Sequence, residues 1–395
     1  MVPGTASLDA DDRRRPNGQK GMMDTEQTTP DCTDELENRV AGLVAGGGGT
    51  LQLADGVYGL DRTLVLPKDV SLCMTPHAIL RARPGFRGDA IVLKDAGDAA
   101  RHHPGGWIRG GVIDGGQQPL TGLKVVRTSR LEIADIEIRN ATFKGIHVDA
   151  GYEVNISHVR CNNDLDKPYA PGSIGIHYSS GDSGVHLAHI IGFETGLRSD
   201  AFSCHFTQVH VWNYDASQGP MPYCFYCNGH CDTYLQCYAD SPTRAGFHVL
   251  KPSQTFIACR TYYSRWAADN AGAGVLVGPG GGHGTYLGNG YFAHPEHKLA
   301  KAFDGNLEGA TILGESYRDN VVMGGRECRI PAGDGAGAQP PLTVSGPGLR
   351  LAPRATPPEP ADGTLGELAW VDGGAAAGLY IKTSAGWKRA RLESY

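Results

Sequence analysis

The sequence predicts an all-β chain: a right-handed, single-stranded parallel β-helix with a short N-terminal capping helix and a small C-terminal β segment. Three observations predict it. First, the unit LEIADIEIRNATFKGIHV (131–148) returns as VNISHVRCNND, VHLAHIIGFETGLRSD, CHFTQVHVWNY, TYLQCYADSPTRAGFHVL, FIACRTYYSRW, TYLGNGYF and ATILGESYRDNVVM. A recurrence of roughly 20 to 30 residues is that of stacked solenoid coils. One coil cannot bury its apolar face alone, so neighbouring coils must cover it. Second, apolar and polar residues alternate within each unit, as strands with one buried face require. Third, 56 glycines and only 20% charged residues fit a chain with many tight corners.

Taken in order, residues 1–30 are rich in Asp, Arg, Pro and Gln and read as a disordered tail. Asp31 or Thr33 is placed to cap a helix whose apolar stripe is Leu36, Val40, Leu43 and Val44, ended by Gly46 to Gly49. Such a helix would cover the open first coil, whose backbone otherwise lacks partners. The solenoid with its cap spans 31–330. In the organising unit a turn is expected at Asn140 to Lys144, with Gly145 opening the next strand. Long corner loops fall at 162–173, 213–222, 264–273 and 291–301. Residues 331–395 form a linker with a short strand at Leu342–Val344, then three strands around Trp370, Tyr380 and Trp387.

A net charge of −6 argues against wholesale nucleic-acid binding, and no apolar run reaches the roughly 20 residues of a membrane span. The first twenty residues lack the apolar core of a signal peptide, and the expected setting is extracellular or virion-associated. Among ten cysteines, Cys224, Cys227, Cys231 and Cys237 lie near His230, but their irregular spacing argues against a zinc site. No metal and no cofactor are expected, and the thiols are expected to be mostly reduced.

Aligning the first strand of each coil on Ile136, Val159, Ile190, Val209, Cys237 and Cys259 sends these residues inward. Their neighbours two positions away are assigned inward too: Ala134 and Ile138, Ser157 and Cys161, Ala188 and Gly192, Thr207 and Val211. The intervening residues form outward columns. One holds Asp135, His158, His189 and Gln208; the next Glu137, Arg160, His210, Tyr238 and Arg260; the third Trp212, Asp240 and Tyr262. A second outward face, on the glycine-opened strands, places Lys124, His147, His177, Arg198, Phe225 and His248 on one line, with Asp149 and Asp200 two residues further along. Like charges on adjacent strands repel, so this line needs either neutral, mutually hydrogen-bonded histidines or an anionic ligand such as a uronate.

GGGGTLQLADGVY (46–58) and GGVIDGG (110–116) resemble motifs of the pectate-lyase-like β-helix superfamily, which includes phage tail-spike polysaccharide depolymerases. The C-terminal segment is similar to those that help build tail-spike homotrimers. The resemblance covers about residues 33–330 and implies a polysaccharide partner, a homotrimer, and binding or catalysis on an outward strand face and corner loops. Gly282-His283-Gly284 matches one polygalacturonase step, but the rest of that pattern is missing. The pectate-lyase calcium cluster has no clear counterpart.

Two reaction classes follow. β-Elimination from a uronate needs a cation on the carboxylate, a base and an acid. Arg260, His210 and Tyr238 supply these in one column, with Tyr238 expected to have a lowered pKa beside Arg260. Arg160, Trp212, Asp240, Tyr262, Lys124, His147, His177, Arg198 and His248 are the expected substrate-binding set. Glycoside hydrolysis or transfer instead needs paired carboxylates, for which Asp149 with Asp200, or Asp164 with Asp166, are the candidates. A fructan-rearranging or uronate-epimerising scaffold, a non-catalytic glycan-binding adhesin, and a trimer contact at the aromatic column complete the alternatives.

Overall fold

The computed structural model describes residues 31–94, 106–164, 167–213, 219–264, 272–294 and 301–313, with the backbone of strands at 316–317, 353–354, 368–371, 378–383 and 386–389. The expected tail, Asp166 and the strand expected at Leu342–Val344 lie outside these residues. The Thr33–Ala45 helix opens the structure. Asp31 Oδ1 accepts from the Thr33 amide at 3.0 Å and from its hydroxyl at 2.8 Å. Leu36 and Val40 are buried as the stripe requires, but Val44 stays 47% exposed. The stripe is therefore narrower than expected, because the helix touches only the first strands.

From Gly49 to Leu313 the strands pair in parallel with the equivalent strand of the next coil. Each coil carries three ladders. The first runs through Glu132–Ala134, His205–Thr207, Thr233–Leu235 and Thr255–Ile257, and the second through Glu137–Ala141, His210–Trp212, Tyr238–Asp240 and Arg260–Tyr263. Strands Asn155–Asn162 and Gly184–Ile191 run through both. The third is a ten-stranded sheet that includes Lys144–Tyr152, Ile174–Gly181, Thr195–Ser199, Tyr223–Cys227 and Ala245–Val249. A separate four-stranded sheet contains Leu368–Val371, Gly378–Thr383 and Gly386–Arg389.

Between the first and second ladders one residue per coil is left-handed: Asp135, His158, Leu187, Gln208, Gln236 and Ala258 have φ of 50–56°. This column corrects the strand alignment. Strict alternation stops at a left-handed residue, so the inward set becomes Ile133, Ile136 and Ile138, then Ile156, Val159 and Cys161, then Val185, Ala188 and Ile190. Ala188, not Ile190, occupies the column of Val159, and Ile190 pairs with Cys161 and Val211. Ser157 and Thr207, expected inside, are only partly buried on the outer side of the bend. His189 moves into the second outward column, between Arg160 and His210.

Inside the coils, like residues stack at the strand spacing. Phe206, Tyr234, Phe256 and Tyr286 form a column with ring centroids 4.9, 4.8 and 5.2 Å apart. Burying such rings supplies much of the drive to stack coils. The third ladder approaches the second so closely that it needs glycine. A Cβ at Gly175 would sit 2.2 Å from Ile190 Cγ2, and one at Gly196 2.1 Å from Val211 Cγ1. Cys224, Cys227 and Cys237 are buried, whereas Cys231 is exposed. His283, of the Gly-His-Gly step, sits at a left-handed corner with φ 60°.

Candidate functional site

Two outward faces carry the candidate residues. On the third ladder the register runs Lys124, His147, His177, Arg198, Tyr226 and His248. Phe225, expected on this line, points inward and stacks on Phe247 at 4.6 Å. Alternation counted from Gly196 misses this because Cys224 stands at the glycine position, one residue later than assumed.

The third-ladder face is tied by hydrogen bonds across three coils. Lys144 Nζ donates to His177 Nδ1 at 2.9 Å, and His177 Nε2 meets Asp200 Oδ2 at 2.8 Å. With Nδ1 accepting from the lysine, the ring proton sits on Nε2 and points at the carboxylate. Arg198 Nε donates to the same oxygen at 2.7 Å, and Asn228 Nδ2 to Asp200 Oδ1 at 2.6 Å. Burial alone would raise the Asp200 pKa. The bonds from His177, Arg198 and Asn228 outweigh it and hold the carboxyl well below the usual carboxylate range. Arg198 also lies 5.0 Å over the Tyr226 ring.

His147 stacks on His177, with centroids 4.5 Å apart and planes 4° from parallel. The expected bond between the two histidines is absent, because His177 spends both nitrogens on Lys144 and Asp200. Burial, reinforced by Lys144, His177 and Lys124, pushes His147 down to about 3, and burial with Arg244 pushes His248 to about 4. Both rings are therefore neutral at neutral pH. Burial also lowers the Lys144 pKa, and the charges of Lys124 and Arg198 lower it further. The like-charge cost of the line is thus met by neutral histidines, by the Arg198–Asp200 pair, and by Lys124 at 3.8 Å from Asp89. Lys144 was missed in the sequence because it was assigned to the turn before Gly145. The strand in fact starts at Lys144.

On the second ladder the register runs Arg160, His189, His210, Tyr238, Arg260, and beside it Trp212, Asp240, Tyr262. His210, Tyr238 and Arg260 occupy adjacent coils as expected. His210 stacks on Tyr238 at 4.6 Å and lies 14° from parallel to Trp212 at 6.3 Å. Its enclosed Nε2 has no hydrogen-bond partner and sits 3.8 Å from Asp240 Oδ2. Burial raises the Tyr238 pKa, as do the charge and hydrogen bond of Asp240. This corrects the expectation of a lowered value: burial first, and then the Asp240 carboxylate, act on the phenol and both raise it. Tyr238 cannot serve as a phenolate base.

Of the expected carboxylate pairs, Asp149 with Asp200 does not form, and Asp164 with Asp166 falls partly outside the described residues. Asp149 and Asp200 are separated by the Ser179 position, about 10 Å along the stack, and Asp200 is already saturated with donors. Asp164 pairs with Lys167 at 3.4 Å. Among the described residues, no group of three or more His, Cys, Asp or Glu is arranged to hold a metal ion.

The comparisons agree with this architecture. The tailspike of E. coli bacteriophage HK620, solved with a pentasaccharide, superposes with a TM-score of 0.59 at 16% identity over 76% of this chain and 60% of that chain. The chain thus spans less than two thirds of that tailspike. This chain is a right-handed parallel β-helix similar to phage tailspikes. ORF18 of Geobacillus virus E2 matches with a TM-score of 0.52 at 13% identity, over 92% of this chain and 84% of that one. The A-module of mannuronan C-5 epimerase AlgE4 from Azotobacter vinelandii matches at 0.46 and 12% identity, over 72% and 96%. No family model and no curated protein matches the sequence.

Proposed function

We propose that the chain cleaves an acidic, uronate-containing polysaccharide by β-elimination, with catalysis on the third-ladder face. The observation that carries the proposal is the Lys144–His177–Asp200 chain of hydrogen bonds at 2.9 and 2.8 Å. A glycan ligand is supported by the shared fold with a tailspike solved with a pentasaccharide. Paired-carboxylate hydrolysis is disfavoured on this face, because Asp200 is held ionised by three neighbours and cannot serve as a general acid.

Lys144 is the base in this reading. Burial and two nearby cations destabilise its ammonium, making the amine accessible. One N–H stays on His177 Nδ1, which turns the lone pair away from the ring. Lys124, one coil earlier, neutralises the substrate carboxylate and so acidifies the adjacent C–H. Lys144 takes that proton. The electrons of the former C–H bond form the new double bond, the carbon–oxygen bond to the neighbouring sugar breaks with its pair leaving on oxygen, and the ammonium returns the proton to that oxygen. His177 and Asp200 are positioning residues.

The test is incubation with polygalacturonate, alginate and hyaluronate, followed by ultraviolet absorbance of unsaturated uronates. Absorbance is expected to rise with at least one polymer and to be lost in Lys144→Ala. New reducing ends without absorbance would point to hydrolysis instead. The homotrimer belongs to the same reading, resting on the C-terminal segment, and is tested by light scattering.

A further inference from the structure

The second-ladder face is organised differently from the catalytic face. Arg160 and Arg260 are exposed, and their side chains form no ion pair or hydrogen bond among the described residues. Between them His189, His210 and Tyr238 stand on successive coils. Burial lowers the His189 pKa, and His210 and Arg160 add to the effect. His210 stacks face to face on Tyr238, 12° from parallel, and lies 14° from parallel with Trp212, so three aromatic rings pack into one rigid stacked cluster. Asp240 anchors that cluster: its Oδ1 accepts from Ser241 at 2.6 Å, and its Oδ2 faces His210. The row's edge is held as well, since Tyr169 on the preceding long corner donates to Asn213 Oδ1 and Asn213 Nδ2 donates to Ser241 O at 3.1 Å.

We infer that this face is a second, non-catalytic binding track for an anionic glycan, gripping the polymer away from the reacting bond. The inference rests on the polyuronate reading above. A polymer laid along the solenoid meets an equivalent side chain at every coil, about 4.8 Å apart, which matches the advance of roughly one sugar per coil. The two arginines are four coils apart, about 19 Å, with an aromatic row between them. Guanidinium forks suit carboxylates at the two ends. Glu137 at the start of the row and Asp240 are the carboxylates of this face, and Asp240 is engaged by Ser241 and Tyr238. Glu137 stands beside Arg160 in register, so the two guanidiniums are the cationic groups this face offers to a ligand, at its two ends.

The test uses the full chain carrying Lys144→Ala, titrated with whichever of polygalacturonate, alginate or hyaluronate the wild type cleaves. Adding Arg160→Gln and Arg260→Gln is expected to weaken polymer affinity at least tenfold and to flatten its salt dependence, with the melting temperature retained. Trp212→Ala is expected to weaken it about fivefold by removing a stacking ring. Unchanged affinity and salt slope overturn the track. Loss of an oligomer in light scattering with unchanged affinity assigns the face to a second copy of the chain and overturns it too. If the wild type neither binds nor cleaves any of the three polymers, the functional reading falls and the track with it. Wild-type cleavage with unaffected variant affinity removes the track alone.

Discussion

Asp200→Asn tests the catalytic reading most directly. Asp200 Oδ2 accepts from His177 at 2.8 Å and from Arg198 Nε at 2.7 Å; Oδ1 accepts from Asn228 at 2.6 Å and from the Arg198 terminal nitrogen at 3.3 Å. Donors therefore face both oxygens. An asparagine amide satisfies one pair and turns its own N–H groups onto the other, so about half of the contacts are lost. Hydrogen bonds to a charged group contribute about 1.5–3 kcal/mol each. The Arg198 side chain is 38% exposed and can turn to water, which brings the expected loss of stability to about 2 kcal/mol. The kinetic effect is larger than the structural one. Where the amide turns its N–H onto the His177 side, His177 no longer keeps its Nε2–H outward and its Nδ1 on Lys144, and misorientation of a base costs about a hundredfold in turnover. Urea denaturation reads the first number and the rate of unsaturated-uronate formation the second. Turnover within tenfold of wild type, at the expected loss of stability, would refute the positioning role.

Tyr238→Phe is expected to lower turnover by less than tenfold, because the phenol is held protonated beside Asp240; a hundredfold loss would return catalysis to His210, Tyr238 and Arg260. Stability should fall with pH below 6.5. His147 and His248 have folded pKa values depressed to about 3 and about 4, so their contribution is complete above the unfolded value of 6.5 and is lost as pH falls towards the folded ones. Each contributes at most about 1.4 kcal/mol per pH unit in that window, and partial exposure reduces this to about half. His248→Gln should flatten the slope, and stability that is level from pH 6.5 to 4.5 would contradict it. Gly196→Ala should cost about 2–3 kcal/mol in chemical denaturation, since its methyl would meet Val211 at 2.1 Å and the Cys224 carbonyl at 2.7 Å; wild-type stability would show that the ladders can part. A trimer by light scattering, loosened by removing 331–395, is expected, and a wild-type monomer would end that expectation.

Much of the fold is legible in the sequence. The coil recurrence, the capping helix and the glycine-opened strands are local signals, and the His210, Tyr238, Arg260 column could be aligned from them. The breaks came where one residue changes the count. The left-handed residues at Asp135, His158, Leu187 and Gln208 carry no shared side-chain type, so nothing local marks where alternation resets. Ile190 and His189 slipped for that reason. Phe225 slipped because Cys224 replaces the glycine that marks the strand start in neighbouring coils.

The sequence by itself determined the solenoid, because period and alternation are properties of one strand and its turn. It also placed the chemistry-bearing residue types on outward faces. Only the tertiary structure decided which of them act together. The Lys144–His177–Asp200 connection joins residues 33 and 23 positions apart on three coils, and its sense depends on which ring nitrogen each neighbour occupies. The Tyr238 pKa likewise depends on how deeply the phenol is buried and on Asp240 lying beside its hydroxyl. Both are matters of a few ångströms across strands. Electrostatic energy at that range varies with distance and burial rather than with position along the chain.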